Sequence, residues 1–81
     1  MSTEVSFTAE ADKSILEQTD KQTDAVIVDS GQGAYVESIG GLKNGDQNGG
    51  FWVYYVNGQQ TDTVPGDYIT TGGELVQWKF E

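Results

Sequence analysis

The chain has 81 residues, of which 36% are hydrophobic, 13 are acidic and four are lysine, and it contains no arginine, histidine or cysteine. This length allows one domain, because domains typically span about 50 to 250 residues. The net charge of −9 excludes nucleic acid as an expected partner, since a phosphate backbone repels a strongly acidic protein. Without histidine, cysteine or arginine, the chain lacks the usual catalytic bases, thiolates, zinc ligands and phosphate clamps. We therefore expect no enzyme.

Hydropathy gives no sign of a membrane segment. No stretch approaches the roughly 20 apolar residues that a membrane-spanning helix needs. The first residues also lack the basic start and apolar middle of a signal peptide. We expect no membrane insertion by this chain, and a monomer for the isolated domain.

The first quarter of the chain predicts one strand and one short helix. Apolar and polar residues alternate over residues 4–10, which is the period of a half-buried strand. Residues 11–22 are polar around an apolar pair at 15–16, and they predict a short helix packed through that pair. Asp12 and Ser14 are the candidate N-caps, because their side chains can accept a hydrogen bond from the first turn.

The middle of the chain predicts a hairpin followed by a polar loop. Residues 25–28 form a β-branched run, and residues 34–39 form a second strand after the glycine-containing turn at 29–33. A polar loop over residues 40–50 follows, with five glycines and one apolar residue. Glycine favours the turn conformations that other residues resist, so we expect no regular element there.

The last third predicts three strands. Residues 51–56 are the most hydrophobic window, and the Asn57-Gly58 pair that follows is a strong hairpin signal. The returning arm, residues 59–64, is polar and ends at the only proline, which indicates an edge strand. In the final strand, residues 74–80, Val76, Trp78 and Phe80 share one face, and we expect the tryptophan and the phenylalanine in the core.

Three segments then resemble a known family when they are taken in order: AYVESIGGL, FWVYYVNG and GGELVQWKF. The chain resembles a family of small bacterial extracellular domains of largely unassigned function, which is similar to the C-terminal domain of transcobalamin and intrinsic factor. The resemblance is strongest over residues 25–80 of a single domain that spans residues 1–81. The matching positions are Tyr35, Val36, Ser38, Ile39, Gly41, Leu42, Trp52, Tyr54, Val56, Asn57, Gly58, Asp67, Tyr68, Gly73 and Trp78.

The resemblance and the strand pattern together predict the fold class. We expect an α+β domain with a β-grasp-like mixed sheet of five or six short strands and one short helix packed on one face. The resemblance also implies a secreted or cell-surface bacterial protein, with a corrinoid such as cobalamin as the suggested ligand and no resident cofactor.

The candidate ligand-binding residues lie in the polar loop and at its end, because loops on a rigid sheet commonly carry recognition. Phe51 and Tyr55 alternate with Trp52 and Tyr54 along the strand. We expect Trp52 and Tyr54 to face the core, and Phe51 and Tyr55 to form an exposed aromatic patch. The six candidates are Leu42, Asn44, Asp46, Asn48, Phe51 and Tyr55.

The same loop contains a weak calcium pattern. Asn44, Asp46 and Asn48 supply side-chain oxygens at alternate positions, as in the first half of an EF-hand loop. The twelfth position is Tyr55, where that loop has a bidentate glutamate, so an ordinary loop is the alternative interpretation. A cluster of acidic residues in the first third of the chain predicts a solvated face. Its members are Asp12, Glu17, Asp20, Asp24 and Asp29.

These observations predict a non-enzymatic binding or interaction module with a small molecule or a protein as its partner. The first hypothesis is a small-molecule binder, with a corrinoid suggested by the resemblance. The alternative is a protein-interaction or spacer domain that acts through the aromatic patch or through strand addition at the edge formed by residues 59–64.

Overall fold

The described residues of the protein form nine short strands, one helix and one helical turn. The computed structural model describes residues 3–29, 31, 33–61 and 63–81. In chain order the elements are β1 (Glu4–Thr8), β2 (Ala11–Ser14), α1 (Ile15–Gln22), β3 (Ala25–Asp29), β4 (Ala34–Ile39), β5 (Leu42–Lys43), α2 (Asp46–Gly49), β6 (Trp52–Val56), β7 (Gln59–Gln60), β8 (Ile69–Thr71) and β9 (Leu75–Phe80). The element α2 is a single turn in which Gln47 and Asn48 adopt left-handed backbone conformations.

The largest sheet joins the two ends of the chain to its most hydrophobic strand. Its order is β1-β9-β6-β7, and all its pairings are antiparallel. Because side chains alternate across a strand, β6 and β9 turn one set of residues toward the core. Trp52, Tyr54, Val56, Val76 and Trp78 are all buried there. The opposite face of the sheet is mostly polar.

Two smaller antiparallel sheets complete the architecture. One pairs β2 with β8, and the other has the order β3-β4-β5. The turn between β6 and β7 has positive φ angles of 51° at Asn57 and 83° at Gly58. Two such residues form the type I′ turn that matches the twist of a two-residue hairpin. The predicted hairpin at this dipeptide is therefore confirmed.

The helix α1 is held by polar contacts as much as by apolar ones. Ser14 is the N-cap, and its hydroxyl accepts a hydrogen bond from the Glu17 N–H at 3.1 Å. Gln18 is buried, and its amide donates to Thr70 Oγ1 at 2.9 Å. Thr19 is buried beside it and accepts a hydrogen bond from the indole N–H of Trp78 at 2.8 Å. These bonds tie the helix to β8 and β9.

The structure confirms a fold of strands with one short helix, and it corrects several bounds. The predicted helix over residues 11–22 begins at Ile15, because residues 11–14 form β2, in which Asp12 has a φ of 63°. Ser14 is therefore the N-cap and Asp12 is not. Of the predicted strand at 59–64, the structure shows Gln59–Gln60 as a strand, which lies at the sheet edge as expected. Asp62 of this range lies outside the described residues.

The sheet arrangement also differs from the expected one. In place of one mixed sheet of five or six strands, the described pairings form three antiparallel sheets. The β-grasp arrangement is not confirmed. The polar loop at 40–50 contains β5 and α2, since the two glycines at 40 and 41 turn the chain back along β4. In the predicted turn at 29–33, Ser30 and Gln32 lie outside the described residues.

The helices of the described residues are short. The longest has eight residues, and none there has the length and apolar character to cross a membrane.

Candidate functional site

An open cleft of about 240 Å³ lies between the β4 side and the β6 side of the protein. Its floor consists of core side chains that remain in contact with the cleft, and its rim carries exposed aromatic rings. The described residues that line it are Tyr35, Val36, Asn44, Phe51, Trp52, Val53, Tyr54, Gln60, Thr61, Pro65 and Trp78. None of these carries a carboxylate or an amine, so the lining is aromatic, aliphatic and neutral polar.

The aromatic floor is rigid because its rings pack against one another. The Tyr54 and Trp78 ring centroids are 5.1 Å apart, and the Trp52 ring meets the Phe80 ring edge-on at 5.5 Å. Trp52 also donates its indole N–H to the Leu42 carbonyl at 2.7 Å. Offset and edge-on aromatic pairs of this kind add stability beyond their buried area. The floor therefore offers a fixed apolar surface.

The rim of the cleft is formed by two exposed aromatic residues. Phe51 is 58% exposed and Tyr35 is 42% exposed. Phe51 precedes β6 and is fixed by two backbone hydrogen bonds with Glu81, at 2.7 and 2.9 Å. Large exposed aromatic side chains at the edge of a concave apolar surface are typical of binding sites.

Asn44 lines the cleft and connects two strands. Its side-chain Nδ2 donates to the Val36 carbonyl of β4, and its Oδ1 accepts from the Trp52 N–H of β6, both at 2.9 Å. Its own N–H donates to the Glu37 carbonyl at 2.9 Å. All of these bonds are structural. The Asn44 side chain thus positions the cleft walls.

The structure brings together two of the six predicted candidates at the cleft, namely Asn44 and Phe51. Leu42 is 1% exposed and belongs to the core, so its side chain does not face a ligand. Asp46 accepts a hydrogen bond from the Lys43 N–H at 2.9 Å, which stabilises the loop. Asn48 is exposed and does not line the cleft.

Side-chain oxygens of the predicted calcium pattern accept hydrogen bonds from the protein backbone. Asn44 Oδ1 and one oxygen of Asp46 accept backbone N–H groups. Within the described residues no group of three or more acidic, histidine or cysteine side chains could hold a metal ion. We do not propose a calcium site.

Tyr55 belongs to a different surface. It lies opposite Gln77 in the register of β6 and β9, on the outer face of the sheet. Its hydroxyl donates to the Glu81 carboxylate at 2.6 Å, and the Lys79 ammonium is 4.9 Å from the ring centroid. The hydrogen bond to Glu81 raises the pKa of the Tyr55 phenol. The predicted aromatic patch is therefore divided, because Phe51 faces the cleft and Tyr55 does not line it.

The cleft contains a second tyrosine whose hydroxyl is already engaged. The Tyr54 hydroxyl donates to the Thr63 carbonyl, and burial raises the pKa of its phenol. Tyr54 is therefore neutral near pH 7. A neutral phenol with its proton committed to a carbonyl suits a packing role more than proton transfer.

Sequence reasoning missed Tyr35, Gln60, Thr61 and Pro65 as lining residues. Tyr35 precedes the buried Val36 in β4, so the alternation along this strand was the available signal for an exposed ring. Gln60 is the last residue of β7, and Thr61 and Pro65 follow it in the chain. The cluster of acidic residues predicted as a solvated face is exposed throughout, as expected.

The comparisons with known proteins identify a family without assigning an activity. The model of a family described as a domain of unknown function, DUF4430, matches residues 11–81. Searches of the curated proteins and of the solved structures find no match. The matched range includes β2 and α1 as well as the later strands. The expected membership of a family of unassigned function is confirmed, and the likeness to transcobalamin stays a prediction.

Proposed function

The chain belongs to the DUF4430 family, and we propose that it is a non-enzymatic binding module that uses the cleft between β4 and β6. The observation that carries this proposal is the open cleft of about 240 Å³, with exposed rings of Phe51 and Tyr35 above a buried aromatic floor. Concave apolar surfaces with a few fixed polar groups are the usual form of a ligand site.

The lining supports binding more than catalysis. Acid–base or nucleophilic catalysis needs a titratable group within hydrogen-bond reach of the reacting atom. The described lining residues supply two phenols and neutral amide and hydroxyl groups, and one of the phenols is engaged by a backbone carbonyl. The chain has no histidine, cysteine or arginine with which to activate another group.

The size of the cleft limits the small molecules that we propose. Sites for drug-sized ligands measure roughly 300 to 1,000 Å³, so this cleft would hold part of a larger ligand. A corrinoid, the ligand suggested by the resemblance to the transcobalamin C-terminal domain, would be contacted on one side. The same resemblance supports a β-grasp relationship and a secreted or cell-surface location, which we propose on that basis.

A second candidate function rests on the sheet edge. The strand β7 is the last strand of its sheet, and Val64 beyond it is 45% exposed. An exposed edge can receive a strand from another protein. In this interpretation the domain is an interaction or spacer module.

An amide NMR titration of the full chain tests the binding proposal, with cobalamin and phenol as two separate probes. We expect localised shifts in residues 34–36 and 51–54 with at least one probe. The variant Phe51→Ser should weaken the shifts, whereas Leu75→Ser, which changes an exposed apolar residue of β9 that does not line the cleft, should preserve them. Equal weakening by both variants, or silence of these residues with both probes, contradicts a small-molecule site in the cleft.

A further inference from the structure

The aromatic floor of the cleft has already used its own hydrogen-bond donors. The indole N–H of Trp52 donates to a backbone carbonyl at 2.7 Å, and that of Trp78 donates to a threonine hydroxyl at 2.8 Å. The hydroxyl of Tyr54 donates to another backbone carbonyl. The rings therefore present carbon to a ligand. A polar group that leaves water for such a surface without finding a partner is costly, so the floor favours the part of a ligand that needs no hydrogen bond.

The rim differs from the floor because its polar groups are available. The Tyr35 hydroxyl and the Gln60 side-chain amide both belong to residues that line the cleft. Neither of them makes a side-chain hydrogen bond within the described part of the chain. Both groups can donate a hydrogen bond. The cleft thus combines an apolar floor with donors at its edge.

The lining also carries no formal charge. The described residues that form it include no carboxylate, ammonium or guanidinium group. A charged group placed on this lining would lose water without gaining an ion-pair partner. The part of the ligand that meets the cleft is therefore neutral and apolar, with hydrogen-bond acceptors at its margin.

A polyproline II segment has these properties. Proline has an apolar ring without charge, and it lacks the backbone N–H. An ordinary extended segment brings one N–H from each residue, and each needs an acceptor in place of water. The carbonyls of a polyproline II helix make no internal hydrogen bonds, so they are free to accept from a partner. Grooves lined by aromatic residues are a recurring docking site for such segments.

We propose that the cleft binds a proline-rich segment of another protein in the polyproline II conformation. Proline rings pack on the aromatic floor beside Phe51 and Tyr35, and carbonyls of the segment accept hydrogen bonds from the Tyr35 hydroxyl and the Gln60 amide. The conformation is formed before binding, so little chain entropy is lost. This inference rests on the proposed function, because it names the partner of the same cleft.

An amide NMR titration of the full chain with acetyl-hexaproline-amide tests the inference. This neutral peptide forms two turns of the polyproline II helix. The matched control peptide, acetyl-Gly-Ser-Gly-Ser-Gly-Ser-amide, has the same length and no charge, but it is flexible and keeps its N–H groups. Maltohexaose serves as a neutral probe that is rich in hydroxyl groups. We expect saturable shifts in residues 34–36, 51–54 and 60–61 with hexaproline below about 10 mM, and none with the other two probes.

Two pairs of variants assign the binding to the cleft. Tyr35→Phe keeps the ring and removes the rim donor, so we expect hexaproline to bind about two- to tenfold more weakly. Its matched control is Tyr55→Phe, which removes a hydroxyl from the outer face of the sheet and should leave the affinity unchanged. Phe51→Ser should weaken binding at least about fivefold, whereas Leu75→Ser should not. The dispersion of each amide spectrum shows whether the variant is folded.

Several results would overturn the inference. Hexaproline may leave these residues unshifted on a chain that keeps its native spectrum, or the Gly-Ser peptide may shift them equally. Equal weakening by Tyr35→Phe and Tyr55→Phe also contradicts the proposed contact. Shifts with maltohexaose and none with hexaproline assign the cleft to a carbohydrate. If hexaproline fails while phenol or cobalamin shifts the cleft residues, the binding function stands without this partner. If hexaproline, maltohexaose, phenol and cobalamin all fail, the proposed function fails as well.

Discussion

Replacement of Asn44 by aspartate tests whether its side chain holds the two cleft walls together. The carboxylate can still accept the Trp52 N–H, but it cannot donate to the Val36 carbonyl, and it places a negative charge against that oxygen. A partly buried acceptor that loses its donor costs about 1 to 3 kcal/mol. For a domain of this size, such a loss lowers the Tm by roughly 5 to 20 °C.

The matched control for this prediction is Asn48→Asp, which makes the same change of charge at an exposed position of the same loop. Its left-handed backbone, with a φ of 69°, is tolerated by aspartate as well as by asparagine. We expect an effect within about 0.5 kcal/mol, as is usual for surface substitutions. Urea denaturation at pH 7 gives both free energies of unfolding.

A pH series sharpens the comparison. When the introduced carboxyl is protonated, its O–H can donate to the Val36 carbonyl, so the deficit of Asn44→Asp relative to Asn48→Asp should shrink as the pH falls below about 4. Equal stability of the two variants at pH 7 would refute the reasoning. It would mean that the Asn44 bridge contributes nothing to the stability of the fold.

Three further predictions concern stability. Thr19→Val leaves the buried indole N–H of Trp78 without its acceptor, so we expect a loss of about 1 to 3 kcal/mol in urea denaturation; an unchanged midpoint would show that this bond is replaced. The N–H groups of Thr71 and Gly72 hold the pKa of the Glu74 carboxyl below its usual value. A carboxyl group whose pKa is lower in the folded chain than in the unfolded chain stabilises the fold at a pH above its unfolded-state pKa. This stabilisation is lost as the pH falls through the folded-state pKa. Glu74→Gln should therefore have a lower Tm than the parent chain at pH 7 and the same Tm in strong acid. A Tm difference that stays constant across the pH range would contradict this cause. Finally, 13 acidic residues against four lysines should make the Tm higher at about 0.15 M salt than at about 0.01 M, because screening weakens self-repulsion, and a salt-independent Tm would count against that interpretation.

The sequence predicted the elements whose signals are local. Alternation along the last strand predicted Trp78 and Phe80 in the core. Trp78 is 2% exposed, whereas Phe80 is only partly buried and packs against the core from its margin. The Asn57-Gly58 pair predicted the hairpin between β6 and β7, because these residues readily adopt the positive φ angles that a type I′ turn requires. Each of these signals depends on neighbouring residues alone.

The sequence predicted only part of how the helix α1 is held. Its pattern indicated that the apolar pair at 15–16 anchors the helix, and Ile15 is fully buried with Leu16 packed against the core. Gln18 and Thr19 are buried as well, at 1% and 0% exposed, and no pattern indicated this. Buried polar side chains are stable only where partners satisfy them. Those partners, Thr70 and Trp78, lie 52 and 59 residues further along the chain, so no local pattern could reveal the burial.

The candidate site likewise combines features with a local sequence signal and features that depend on contacts between distant residues. Alternation along the strand predicted an exposed Phe51, and composition predicted a polar loop before it. The bridge that Asn44 makes between two strands, the separate surface of Tyr55 and the meeting of Tyr35 with Phe51 at one cleft all arise from the folded chain. Side-chain alternation is a property of a single strand, whereas a cleft is the space left between strands whose separation depends on the packing of the whole chain.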